Sequence, residues 1–369
     1  MLTKDYLGIL TPKEVEDLRS KRSGNWIHPV VSLALDSTRG VVAANTERAG
    51  RIVLQANEAW LNSLRQRLLE TSDLTNASSA LGEIRAYGSL LETGMVVKPA
   101  PAVSGKPVSP EFEVQAGDGP VIVEVHSKQM HPAERKKLDD QHKRLQAKVA
   151  QAIESGEKSG ERKNEVVADA AEIQPLGAAD PNKAGDSDVA NGISRVAGIK
   201  DKEKQIDHQK PFVLWLDMQD PAVWGLPLAQ EQLLPIYSLG TDGHVGAGIL
   251  WHALYGRKGE PYISMQGFDF KAIPMLHEGR FYQTMKAHGG PTRISAIVIS
   301  LPETVALMEH PEPIMRLPSK FRQALTRITA FRLEYSHCDW MKGRVKSDIA
   351  ANRRKTQATI KALLRSNPP

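Results

Sequence analysis

Glu124, His126 and Lys128 stand at alternate positions of the run Val121-Ile122-Val123-Glu124-Val125-His126-Ser127-Lys128. Alternate side chains of an extended strand share a face. A carboxylate, an imidazole and an ammonium therefore form one row with Ile122, about 7 Å between successive members, while Val121, Val123 and Val125 face the other way. Thirteen residues before Glu124 (124 − 111), Glu111-Phe112-Glu113-Val114 reads as a second strand, with Glu111 and Glu113 on the face opposite Phe112 and Val114. The turn sequence Gln115-Ala116-Gly117-Asp118-Gly119-Pro120 joins the two as a hairpin and sets Glu111 or Glu113 beside Glu124. Two carboxylates crowded together are costly unless a cation lies between them, and hard oxygen ligands suit Mg²⁺ or Mn²⁺. A neighbouring lysine or histidine can then orient an attacking water and stabilise charge developing on a phosphoryl group. Plainer roles exist for most of these residues. Glu111 and Glu113 suit the solvent face of an edge strand, His126 the partner of a carboxylate, and Lys128 a solvated strand end. Glu124 resists such a reading, because an unpaired carboxylate inside an apolar strand is expensive.

The elements that must hold this row are legible on both sides of it. The first forty-five residues are mixed and broken by Pro12, Gly24, Pro29 and Gly40. From Thr46, Ile52, Leu54, Trp60, Leu61, Leu64 and Leu68 recur at helical spacing, with Arg51, Arg65 and Arg67 among the polar positions. A second helix, capped at Asn76 or Ser78, carries Glu83 and the stripe Leu81, Ile84, Leu90 and Leu91 to about Thr93, where Gly94 stops it. Met95-Val96-Val97 starts an extended stretch that the Pro-rich loop 99–110 closes. Residues 132–154 form a charged amphipathic helix that opens on Pro132, a position tolerant of proline. Residues 155–191 carry too little apolar surface to pack and read as a flexible insertion; no aromatic residue occurs between Phe112 and Phe212. A short helix is expected over Ile193–Ile206. The apolar runs Pro211–Asp217 and Ile294–Ser300 suit central strands covered on both faces.

Pro110-Glu111 followed by Val-Ile-Val-Glu124-Val-His126 resembles the core motif of the PD-(D/E)xK nucleases. The order of elements, a helix carrying Glu83, strands, a helix and further strands, is similar to that family's αβββαβ core. The resemblance covers residues 76–154 and, more loosely, 193–335. It implies a restriction-endonuclease-like sheet and a metal held by Glu111 and Glu124 with Glu113 or Glu83 assisting. Two departures stand out: Glu111 replaces the usual Asp, and His126 replaces the usual Lys. Either Lys128 has taken the lysine's role, or His126 serves as ligand or base, or the site has lost catalysis while keeping the fold.

Composition sets the remaining bounds. Hydrophobic residues at 41% and charged residues at 25% match a globular protein with a buried core, and no window approaches the ~18 apolar residues of a membrane span. The start lacks a signal-peptide pattern. The one cysteine, Cys338, excludes an intrachain disulfide framework and multi-thiolate sites, so the expected compartment is a reducing cytoplasm. Residues 314–366 hold thirteen Lys/Arg against three Asp/Glu, a surplus of ten in a chain whose net charge is +5. That asymmetry suits a polyanion, or a plain solvated helical surface. Gly240–Gly248 lacks both phosphate-loop spacings, and His337-Cys338-Asp339 lacks a second ligand pair at zinc spacing.

The expected fold is α/β: a mixed central sheet flanked by helices. A helical extension over 1–75 precedes core halves at 76–154 and 192–335, split by the 155–191 insertion, and a basic helical tail runs over 336–369. The expected function is Mg²⁺- or Mn²⁺-dependent phosphodiester hydrolysis on nucleic acid, DNA before RNA, by Glu83, Glu111, Glu124, His126 and Lys128. Lys342, Arg344, Lys346, Arg353, Arg354 and Lys355 would track the phosphate backbone, and a homodimer is compatible with the sequence. The alternatives are a catalytically inactive module that binds nucleic acid or a partner protein, and an assembly protein built on the N-terminal helices. Neutralising Arg353, Arg354 and Lys355 together should flatten the salt dependence of nucleic-acid binding, by roughly 0.9 in log–log slope for each duplex phosphate that is no longer neutralised. An unchanged slope in filter-binding titrations would remove these residues from the interface.

Overall fold

The structure is a computed structural model. It describes residues 4–21, 28–35, 40–100, 110–117, 119–129, 132–159, 168–169, 194, 197–198, 209–219, 249–266, 269–285, 290–302, 305–328 and scattered positions between 350 and 365. The N-terminal part is helical: α1 (Pro12–Ser20), α2 (Pro29–Leu35), α3 (Gly40–Ser63) and α4 (Arg65–Leu68). Helix α5 (Leu74–Glu92) follows, and Asp73 caps it by accepting the Thr75 N–H at 2.9 Å. The helix expected from Thr46 thus starts six residues earlier, at Gly40 (46 − 40), and is broken at Asn57, whose backbone is extended. The Asn57 side chain accepts the Trp60 N–H at 3.1 Å, so the residue ends one helical stretch and caps the next.

Ten strands are described: β1 (Val96–Pro99), β2 (Phe112–Gln115), β3 (Pro120–Ser127), β4 (Phe212–Asp217), β5 (Pro261–Gln266), β6 (Asp269–Pro274), β7 (Thr284–Met285), β8 (Gly290–Pro291), β9 (Ile294–Ser300) and β10 (Val305–Glu309). Six of them form a mixed sheet in the order β1-β2-β3-β4-β9-β10, and β5/β6 and β7/β8 are separate antiparallel pairs. Neighbours β3, β4 and β9 run parallel, while β1/β2, β2/β3 and β9/β10 are antiparallel. The chain is therefore α/β. Every residue of β4 and β9 is buried, as near-continuous apolar strands at the centre of a covered sheet require. The β2/β3 hairpin forms at the expected turn, where Gly117 and Gly119 both take positive φ, a backbone region that favours glycine.

Helix α6 (Pro132–Ser159) follows β3 and is longer than expected, taking in the first residues of the expected insertion. Asp169 lies back along it, paired with Arg144 and Lys148 at 3.1 Å each. The rest of that insertion, most of the short helix expected at 193–206, Gly240–Gly248 and His337–Asp339 lie outside the described residues. Helices α7 (Ile249–Tyr255) and α8 (Ser319–Leu325) follow, with a single 3-10 turn at Arg280–Tyr282 between them and scattered helical residues between 350 and 365. Among the described residues no helix is long and apolar enough to cross a membrane.

The N-terminal helices and the sheet share one buried core, and the boundary expected at residue 75 falls inside α5. Ala77, Ala80, Leu81, Ile84, Tyr87 and Leu90 of α5 are all buried. Trp60 of α3, Tyr87 of α5 and Phe112 of β2 stack in one cluster, with ring centroids 4.7–5.6 Å apart. A polar link crosses this core. Arg85 of α5 donates to both carboxylate oxygens of Asp217 at the end of β4, at 3.0 and 2.6 Å, and to the Thr46 hydroxyl of α3 at 3.2 Å. Both ionic side chains are almost fully enclosed, at 2% and 1% exposure. Removing one member leaves a buried charge unpaired, so Arg85→Met should destabilise the fold by about 3–5 kcal/mol, whereas Arg85→Met combined with Asp217→Leu should recover most of that loss. Urea denaturation of the two variants checks this, and a double variant as unstable as the single one would contradict it.

Candidate functional site

The hairpin register pairs Phe112 with Val123 and Glu113 with Ile122. Carried one residue further, it sets Glu111 opposite Glu124. Beyond that point β2 ends and the second half of β3 has no strand neighbour on that side among the described residues. The Glu111 carboxylate takes over part of the ladder, accepting the Val125 N–H at 2.8 Å, while its backbone carbonyl accepts from Ala100 at 2.9 Å. On the other side of β3 the parallel ladder to β4 continues through Ser127 and Asp217.

A cavity of about 670 Å³ opens where the two strands part. Glu111, His126, Ser127, Lys128 and Gln129 line it from the hairpin side, and Thr75, Ser79 and Glu83 from α5, with Arg67 of α4 between them. Thr75, Ser79 and Glu83 recur every fourth residue and so share one stripe of α5. Gln129 ties the wall to the helix by donating to the Thr75 carbonyl at 3.0 Å. Lys128 is buried at 5% exposure rather than solvated, and its ammonium donates to the Gly198 carbonyl at 3.1 Å.

The expected site residues divide into three groups. Glu83, Glu111, His126 and Lys128 meet at the cavity. Glu124 is completely enclosed in the middle of β3, opposite Leu214 of β4, and is not part of the cavity wall. Glu113, expected to assist a metal, is held elsewhere: its carboxylate pairs with Lys210 at 2.7 Å and accepts from Gln115 at 2.7 Å. Same-face residues two apart along a strand are separated by about 7 Å, which puts Glu113 beyond the end of the cavity, and a local lysine satisfies it there. Of the basic residues expected at a phosphate backbone, Arg354 is an exposed helical residue; Lys342, Arg344, Lys346, Arg353 and Lys355 lie outside the described residues.

Arg67 is the residue that sequence reasoning missed, having counted it as one polar helix position among several. Its two terminal nitrogens donate to the two oxygens of Glu83 at 2.8 and 2.7 Å, a parallel fork. Glu83 and, at longer range, Glu111 hold the guanidinium still more firmly protonated than usual. The two partners are sixteen residues apart on different helices, so no helical spacing signals the pair.

No group of three or more His, Cys, Asp or Glu that could hold a metal occurs among the described residues. Mg²⁺ commonly uses one or two carboxylates, with water and substrate phosphate completing its shell. Of the opposed pair, Glu111 lies on the cavity wall with His126, whereas Glu124 is enclosed within β3, so one carboxylate of the pair faces the cavity directly. No protein-family model matches this chain, and no curated protein or solved structure matches it either.

Gly82 controls how closely α5 approaches this wall. A Cβ at position 82 would stand 2.9 Å from the Asp217 carboxylate and would collide with the Ser127 hydroxyl. Gly82→Ala should therefore push the helix away from β3 and β4 and cost about 1–3 kcal/mol, in line with overpacked cores. This runs against the gain that alanine normally brings to a helix interior. A thermal melt showing Gly82→Ala to be as stable as wild type would refute the close approach.

Proposed function

We propose that the cavity is a phosphodiester hydrolysis site acting on nucleic acid with Mg²⁺ or Mn²⁺. The observation that carries this reading is the meeting of Glu111, His126 and Lys128 in one cavity, with Glu124 opposite Glu111 in the hairpin. The order of elements α5-β1-β2-β3-α6-β4 supports it as well, being the αβββαβ order of the nuclease core that the Pro110-Glu111 and Glu124-Val125-His126 sequence resembles. On this reading Glu111 would hold the metal from the cavity wall, with Glu124 as the carboxylate opposite it in the hairpin, and the metal would supply Lewis-acid polarisation of the phosphoryl group. His126, half-buried on the cavity wall, takes a proton from the attacking water. Lys128 places a positive charge on the same wall, where negative charge develops on the phosphoryl oxygens. The Glu111 carboxylate is held in place by the Val125 amide.

A second reading, binding without cleavage, is favoured by one observation. Glu83, the helix carboxylate that the nuclease resemblance makes a metal assistant, is occupied on both oxygens by Arg67. Divalent-dependent degradation of labelled DNA and RNA by the purified full chain separates the two. If the hydrolytic reading holds, His126→Ala lowers the rate by about 10²–10⁴-fold, Glu111→Gln abolishes the divalent-dependent cleavage, and Glu113→Gln cleaves like wild type. Metal and nucleic-acid binding without cleavage would instead establish the second reading, and absence of both binding and cleavage would overturn both.

A further inference from the structure

We infer that Arg67 is a phosphate-binding residue of the cavity and that Glu83 is its holder rather than a ligand of the metal. The inference rests on the reading of the cavity as a nucleic-acid site and assigns two of its residues. A guanidinium has five N–H donors in a fixed plane. Two are taken up by the fork on Glu83, which fixes the plane and leaves the other edges of the group for a further acceptor. Burial decides which member of the pair presents itself: the Arg67 side chain is 37% exposed and that of Glu83 only 12%. A ligand entering the cavity therefore meets the cation, with the carboxylate behind it.

The surroundings suit a phosphate rather than a second metal. Ser79 lies on the same stripe of α5 as Glu83 and lines the same cavity, and serine hydroxyls are among the groups that donate to phosphate oxygens; the Thr75 hydroxyl beside it is already given to Asp73. A metal drawn to Glu83 would have to break two charge-assisted hydrogen bonds and leave a guanidinium beside a dication. A phosphate drawn to Arg67 breaks neither bond. Because Arg67 belongs to α4 and not to the sheet, the hairpin can hold the reacting group from one side while the helix pair fixes the strand from the other.

The test uses the full chain as wild type, Arg67→Gln, Arg67→Lys and Glu83→Gln. A fluorescein-labelled DNA duplex is titrated by anisotropy over a range of salt concentrations, and Mn²⁺ alone is titrated by calorimetry. Arg67→Gln should weaken duplex binding at every salt concentration and reduce the log–log salt slope by about 0.9, the equivalent of one phosphate. Arg67→Lys should keep the slope and lose part of the affinity, because the charge remains but the fork does not. Glu83→Gln should weaken duplex binding through a misoriented Arg67 and leave Mn²⁺ affinity unchanged. A purely structural Arg67–Glu83 pair would move melting temperature but not the salt slope. Unchanged affinity and slope in Arg67→Gln would overturn the inference, as would loss of Mn²⁺ binding in Glu83→Gln, while leaving the hydrolytic reading standing. A wild type that binds no duplex overturns both, and a wild type that binds duplex but no Mn²⁺ overturns the hydrolytic reading while the Arg67 variants still decide this one.

Discussion

Helix α5 reaches the sheet closely enough to bury an arginine–aspartate pair only because residue 82 has no side chain. Arg85 and Asp217 then bond through both carboxylate oxygens, and Thr46 of α3 adds a third acceptor. In water such a pair contributes little, but enclosed as this one is, each member obliges the other to stay. The consequence is positional. The pair registers α5 against the end of β4, and that register carries Thr75, Ser79 and Glu83 to the place where β2 and β3 part. A glycine at the opposite side of the same helix does similar work: a Cβ at Gly88 would come within 2.6 Å of Ala49 of α3. Helix α5 is thus wedged between the N-terminal helices and the sheet, and the N-terminal helices are part of the core rather than an appendage.

The cavity owes its chemistry to an early end of strand pairing. Had β2 continued alongside β3 past Glu124, the Val125 amide would have gone to a backbone carbonyl and no cavity would have opened. Instead a side chain, Glu111, accepts that amide, so a carboxylate that the alternation of β2 directs to one face is also fixed in position by the strand next to it. The charges that line the space nearly balance: Arg67 and Lys128 against Glu83 and Glu111. Three cations near the hairpin each engage a specific acceptor, Arg67 with Glu83, Lys128 with the Gly198 carbonyl, Lys210 with Glu113. Of the four carboxylates expected at the site, Glu83 and Glu113 therefore serve as partners of cations, and Glu111 and Glu124 form the opposed pair across the strands.

Much of this was legible in the sequence, because it depends on periods of two and of about 3.6 residues. The alternation in Val121–Lys128 sorted Glu124, His126 and Lys128 onto one face. The Gly-Asp-Gly turn set the hairpin and, with it, the approach of Glu111 to Glu124. The unbroken apolar runs ending at Asp217 and at Ser300 marked the two innermost strands, since only a strand covered on both faces has no polar side to show. Tertiary structure decided the rest. The Arg67–Glu83 fork joins residues sixteen apart across a helix junction, the Arg85–Asp217 pair spans 132 residues, and the Lys128–Gly198 bond spans 70. None of these follows from a local period, because each forms only when segments distant in sequence are packed together and their polar groups come within reach of one another. Strand alternation assigned Glu113 and Glu111 the same face. Only the ending of β2 and the position of Lys210 separated the one that meets the cavity from the one that does not.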